Sequence, residues 1–145
     1  MFCSPHVCAK VSTVTQAEYQ ALASLRYALR QFLHFSEQAA VTAGLTPQQH
    51  QALLAIKGFA PSRMTIGELA ERLQLRHHSN VGLVNRLVAQ GLTRRKRSAA
   101  DRRQVQLFLT KRGEDLLEEL SAAHKDELRR VGPEINLLLE RLRGR

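Results

Sequence analysis

Between Arg94 and Arg103 the chain sets six cations, Arg94, Arg95, Lys96, Arg97, Arg102 and Arg103, against one acid, Asp101. Cations at that density are the chemistry of phosphate binding, provided they are held in place rather than strung along a solvated run. A second polar group precedes them. On a helical wheel over residues 77–90, Val81, Val84, Leu87 and Val88 define an inward face, and His78, Ser79, Gly82, Asn85 and Arg86 turn outward. That outward set is short and suited to base edges, since Asn pairs bidentately with adenine, Arg with guanine and Ser with either. Gly82 costs a helix interior roughly 0.5–1 kcal/mol, and an outward position gives no packing reason for it, whereas close approach to DNA does. The plain alternative for each of these residues is a solvated side chain, and Arg86 has a further option in an ion pair with Asp101.

Metal chemistry is read as absent. His77 and His78 diverge by about 100° on a helix, with no third ligand spaced to join them. Cys3, His6 and Cys8 supply only three donors. Cys3 and Cys8 are candidate redox residues, able to form an intersubunit disulfide, beside the simpler reading as incidental thiols.

The elements that must position these residues announce themselves locally. Capping boxes at Thr15–Glu18, Thr46–Gln49 and Thr65–Glu68 start three helices. The first carries Tyr19, Leu22, Leu25, Leu29, Phe32 and Leu33 to about Ala43, where Gly44 ends it; the second runs to Lys57-Gly58; the third carries Ile66, Leu69, Ala70 and Leu73. A gap at residues 74–77 and a helix closed by Gly91 complete a helix-turn-helix. Val105, Leu107 and Leu109 then alternate with Gln104, Gln106 and Phe108 as a strand with one buried face, which the stretch from Thr93 to Arg97 can pair, leaving Ser98 to Arg103 as the loop. Beyond the N-cap Thr110 a long helix bearing Leu116, Leu117, Leu120 and Leu128 runs to about Val131, where Gly132-Pro133 breaks it. A last short helix follows on Ile135, Leu138, Leu139 and Leu142.

The predicted fold is mainly α with a small β-hairpin wing: a winged helix-turn-helix flanked by long terminal helices. Their apolar stripes exceed what the core can cover, which points to a second copy. The division is a flexible extension over 1–14, an N-terminal dimerisation helix over 15–44, a DNA-binding region over 45–110 and C-terminal dimerisation helices over 111–145. At 145 residues there is room for one domain with extensions. The basic segment holds over half of the net charge of +9. No apolar run reaches the roughly 18 residues a membrane span needs, and "MFCSPHVCAK" lacks the charged and apolar regions of a signal peptide, so the expected compartment is the cytoplasm. No acid/base pair, nucleophile triad or phosphate-cradling Gly loop appears, so an enzyme is disfavoured, and no cofactor is read.

In order and residues the chain resembles the multiple antibiotic resistance regulator (MarR) family of winged-helix transcription factors. The match lies in "NRLVAQGLTRR" followed by "DRRQVQLFLTKRG", with Leu87, Gly91, Leu92, Asp101, Arg103, Leu107, Leu109, Thr110 and Gly113 at the family's spacing, in a segment from about Leu45 to Leu120. The resemblance implies a triangular homodimer, its outer helices forming the interface and two winged lobes lying on double-stranded operator DNA. It also implies that Arg103 enters the minor groove and that Asp101 braces the tip, with Arg94, Arg95, Lys96, Arg97 and Arg102 left for phosphates. Two residues depart from the family pattern: Asn80 stands where an aliphatic residue is usual and Arg76 where a capping Ser is frequent.

Family members commonly bind a small aromatic or anionic effector between the dimer helices and the DNA-binding lobe, or sense oxidation through a cysteine. Tyr27, Phe32, His34, Phe35 and Phe59 could line such a pocket, although aromatics on helices are more often core, and His124 reads as a satisfied core or interface histidine. The expected function is a ligand- or redox-responsive repressor. The competing reading is a winged-helix module for protein or RNA, which would bind with salt sensitivity but without a preferred duplex sequence.

Overall fold

Local signals set where the helices begin, and tertiary packing decides where the last one ends. The computed structural model describes residues 13–144 and contains α1 (Gln16–Thr42), α2 (Pro47–Gly58), α3 (Ile66–Leu73), α4 (His77–Ala89), β1 (Thr93–Arg97), β2 (Val105–Leu109) and α5 (Lys111–Leu142). All three capping boxes form, with Thr15, Thr46 and Thr65 each accepting from the backbone N–H three residues on. Gly44 takes a positive φ of 82° after α1, the left-handed conformation that releases the chain toward α2.

The predicted break at Gly132-Pro133 does not occur. α5 is one helix of 32 residues with Pro133 inside it. Pro133 has no N–H to give the Arg129 carbonyl, but Arg129 and Pro133 face solvent, where water can take that carbonyl. Val131 and Leu138, on either side, are buried against α1, and this packing holds both halves on one axis.

The core sits where the lobe meets the scaffold. Leu53, Met64, Leu69, Leu83, Leu87 and Leu92 are almost wholly buried, with Leu107 of β2 and Leu117 and Leu120 of α5 closing the cluster. α1 sorts its faces by size: Ala21, Ala28 and Ala40 are buried, whereas Tyr19, Leu22, Leu29 and Leu33 stand 42–57% exposed. On α5, Leu128 and Leu137 are also exposed. A large unpaired apolar face therefore runs along the outer helices, as the stripes of α1 foretell.

Candidate nucleic-acid interface

A tight turn presents α4. Gln74, at the end of α3, adopts the left-handed conformation with φ 53°, and the Leu75 N–H returns to the Ala70 carbonyl at 2.9 Å, so the chain reverses within a few residues. α4 is then seated on α3 by Leu83, Val84 and Leu87 and by Asn80, whose Nδ2 donates to the Ile66 carbonyl at 2.7 Å. The inward face is thus centred on Asn80, Leu83, Val84 and Leu87. Val81 is only half-buried, and Leu83, absent from the expected face, is one of the best-buried residues.

The outward face comes out as expected in direction. His78, Ser79, Asn85 and Arg86 are exposed and Gly82 lies half-buried among them. A Cβ on Gly82 would meet only Arg86 Nη1, at 3.4 Å, so no neighbour in the protein demands glycine there. Arg76 caps α4 without a side-chain hydrogen bond, which leaves the first-turn N–H groups available for an anion.

The hairpin is anchored at its base. Gly91 has φ 70°, Thr110 Oγ1 donates to the Gly91 carbonyl at 2.6 Å, and the Thr110 N–H reaches the Leu92 carbonyl at 3.0 Å. Gly113 packs so closely that a Cβ would stand 2.1 Å from the Leu92 oxygen, which fixes the start of α5 to the start of β1. From there β1 and β2 pair antiparallel, Thr93 with Leu109 through Arg97 with Val105. Leu107 points into the core.

The cations of the opening segment are therefore carried on a framework. Arg95 Nη1 donates to Asn85 Oδ1 at 2.8 Å, and Arg97 Nη1 donates to the Arg102 carbonyl at 3.1 Å across the tip. Arg94 lies over the Phe108 ring at 5.4 Å. Among the described residues, the ion pairs are Lys57–Glu114, Lys111–Asp115, Arg129–Asp126 and Arg130–Glu127, none of which involves the hairpin. Arg86 and Asp101 do not form the ion pair offered as an option above.

Asp101 acts on the tip through the loop backbone. Its carboxylate accepts the backbone N–H of Arg103 at 3.0 Å, and its carbonyl accepts the Gln104 N–H, also at 3.0 Å. It holds the loop backbone from which Arg103 projects and leaves the guanidinium unpaired, because a carboxylate two residues earlier is placed for an Asx-type turn.

The aromatic candidates separate. Phe32 and Phe35 converge on His124, with ring centroids at 5.9 and 5.5 Å, and His50, unremarked in the sequence, lies tilted against it at 4.8 Å. His124 Nδ1–H donates to the Leu120 carbonyl at 2.6 Å, so in the neutral ring Nε2 accepts from Ser36 Oγ, 2.8 Å away. Burial, and secondarily the neighbouring His124, holds the His50 imidazole below its ordinary pKa. Tyr27 and His34 are exposed, and Phe59 lies elsewhere, under Arg72. Cys3 and Cys8 lie outside the described residues.

A sequence model described as the MarR family matches residues 43–104. Of curated proteins, none matches. Among solved structures, AbsC, a MarR family transcriptional regulator from Streptomyces coelicolor, is 21% identical over 93% of this chain and 100% of that one, with a TM-score of 0.68. The multiple antibiotic-resistance repressor MarR of Listeria monocytogenes is 23% identical over 89% and 99%, with a TM-score of 0.66. The MepR–DNA complex of S. aureus is 21% identical over 75% and 82%, with a TM-score of 0.63. A MarR-family sequence model thus covers the helix-turn-helix, β1 and the hairpin loop, residues 43–104, and along most of its length the chain shares the winged-helix fold of these structures.

Proposed function

We propose that the protein is a homodimeric, sequence-specific DNA-binding repressor, with α4 in the major groove and the hairpin tip in the minor groove of each half-site. One observation carries this reading. The 2.8 Å hydrogen bond from Arg95 to Asn85 joins the exposed polar face of α4 and the unpaired cations of the hairpin into a single surface. Short polar side chains there can read bases, and the arginines around them can neutralise phosphates and enter a narrow groove.

The dimer is supported by the apolar face of α1, where Tyr19, Leu22, Leu29 and Leu33 stand exposed and uncovered by any of the described residues. An effector acting on such a dimer would act where α1, α2 and α5 meet, at Phe32, Phe35, His50 and His124, because that junction links scaffold to lobe. A repressor works where its operator lies, which for this reading is the cytoplasm. Independently of that, no helix among the described residues is long and apolar enough to cross a membrane.

The test is a mobility-shift and footprinting experiment on duplexes selected from a random pool. The expected result is protection of two half-sites about one helical turn apart. Arg103→Ala should weaken binding at least about fivefold, by loss of a groove contact of about 1–3 kcal/mol, with dimer size unchanged by light scattering. Uniform, salt-sensitive binding with no selected sequence would replace this reading by the RNA- or protein-binding module.

A further inference from the structure

The hairpin register divides its cations between two faces. Arg95 and Arg97 stand opposite Leu107 and Val105 and so share the side that meets the core and α4, where Arg95 bonds Asn85. Arg94 and Lys96 stand opposite Phe108 and Gln106 and share the other side. That outer face gains a third cation from a distant segment. The Met64 carbonyl accepts the Leu107 N–H at 2.8 Å and Thr65 bridges Gln106, so the chain before α3 runs along the free edge of β2 and delivers Arg63 beside Phe108.

The guanidinium carbons of Arg63 and Arg94 lie 5.0 and 5.4 Å from the centroid of that one ring. Together with Lys96 and Phe108 they line a depression on this face, to which the strand also brings Arg95, whose guanidinium turns to Asn85. Cation–π contact limits where two flexible side chains can point, and among the described residues no carboxylate pairs with any of them. Like charges gathered from two segments onto one ring, with no acid to neutralise them, make a site for an anion that carries several acceptor oxygens.

We propose that Arg63, Arg94 and Lys96, organised by Phe108, bind a phosphate group on the outer face of the hairpin, separate from the surface formed by α4 and the hairpin tip. The phosphate is that of a free phosphorylated compound, bound on the hairpin face opposite the one that carries the Arg95–Asn85 contact.

Pyrophosphate titrated into the DNA-free protein, followed by NMR at the arginine Nε–H groups and the Phe108 ring, tests the site. Wild type should saturate in the millimolar range or tighter. Arg63→Gln/Arg94→Gln should weaken binding at least fivefold, and Phe108→Leu, which keeps every charge, should weaken it measurably. Lys125→Gln/Arg129→Gln, with the same charge loss on α5, should not. Equal pyrophosphate binding by wild type and both hairpin-face variants would overturn the proposal, as would an equal loss in the α5 control. The source is then read from the salt dependence of duplex binding. An unchanged slope in Arg63→Gln/Arg94→Gln is expected for a free compound, and a slope reduced by about 0.9 per lost contact would place these cations on backbone phosphate and overturn the assignment. Since the first arm contains no DNA, its outcome does not depend on the proposed repressor function.

Discussion

Replacing Gly82 by alanine separates what the fold requires from what a ligand requires. Gly82 sits in the middle of α4, where glycine costs roughly 0.5–1 kcal/mol relative to alanine. Among the described residues the only atom an added Cβ would meet is Arg86 Nη1 at 3.4 Å, an ordinary contact with the far end of a flexible side chain. Nothing in the protein therefore offsets the helical gain, and the variant should be more stable by about 0.5–1 kcal/mol, or ~2–4 °C in Tm. Its effect on DNA should have the opposite sign. The methyl group stands among His78, Ser79, Asn85 and Arg86 and adds a bond length of about 1.5 Å to a surface whose base contacts need 2.7–3.2 Å. Loss of one bidentate base contact, about 1–3 kcal/mol, lowers affinity for the selected duplex roughly five- to 150-fold and leaves a scrambled duplex nearly unaffected. Fluorescence anisotropy on both duplexes at one salt concentration, beside thermal unfolding at one protein concentration, reads the two effects. A stabilised variant that binds the selected duplex as tightly as wild type would refute the close approach of α4 to bases. A destabilised variant would refute the open space above residue 82.

The contrasting glycine is Gly113, where alanine would place its Cβ 2.1 Å from the Leu92 backbone oxygen and displace the carbonyl that also accepts the Thr110 N–H. Overpacking plus a weakened hydrogen bond should cost about 3 kcal/mol, a fall of ~10 °C in Tm, and an unchanged melting curve would show that the base of the hairpin is not held there. Asn80→Leu should be neutral or stabilising by up to about 1 kcal/mol in chemical denaturation, because Asn80 Oδ1 is buried without a partner; a loss of 2 kcal/mol or more would mean that its Nδ2 bond to Ile66 outweighs the orphaned oxygen. Acid should destabilise the fold through His50. Burial lowers its pKa in the folded state, so below the ordinary value of about 6.5 the unfolded chain binds the extra proton. The stabilisation is complete above that pH and is lost as pH falls from there through the folded pKa. Unfolding curves between pH 8 and pH 5 should therefore slope less in His50→Gln than in wild type, and parallel curves would discount His50.

What could be read from the sequence is what short-range chemistry decides. Each capping box needs only a hydroxyl, a carboxylate or amide three residues on, and a helix that follows, and all three form. The alternation at Val105, Leu107 and Leu109 gives strand and face together, because the period-2 pattern leaves one register that buries Leu107. What escaped depends on partners distant in the chain. Pro133 breaks a helix in isolation and is tolerated in α5 because α1 buries Val131 and Leu138 around it. His50 and His124 are 74 positions apart and meet only after α2 docks on the scaffold. Their signal was present but faint: His50 lies three residues before the fully buried Leu53, on the same side of α2. Arg63 gave no signal, since its place beside Phe108 follows from an edge pairing of Thr65 with Gln106.

The hairpin shows why counting charges misjudges such a segment. Six cations in a run would share one average environment if the chain were unstructured, and their binding would scale with net charge alone. In a paired strand, neighbours point to opposite faces, so Arg94 and Arg95, adjacent in sequence, reach different partners: Phe108 on one side and Asn85 on the other. Arg102 and Arg103 lie in the turn and follow neither face; there Asp101 sets the backbone. One basic segment therefore carries three separable sets of groups, a helix-side set, an outer set and a tip. Substitutions that remove equal charge from each should differ in consequence: loss at the tip and on the helix side changes which duplex is preferred, and loss on the outer face changes phosphate binding without changing that preference.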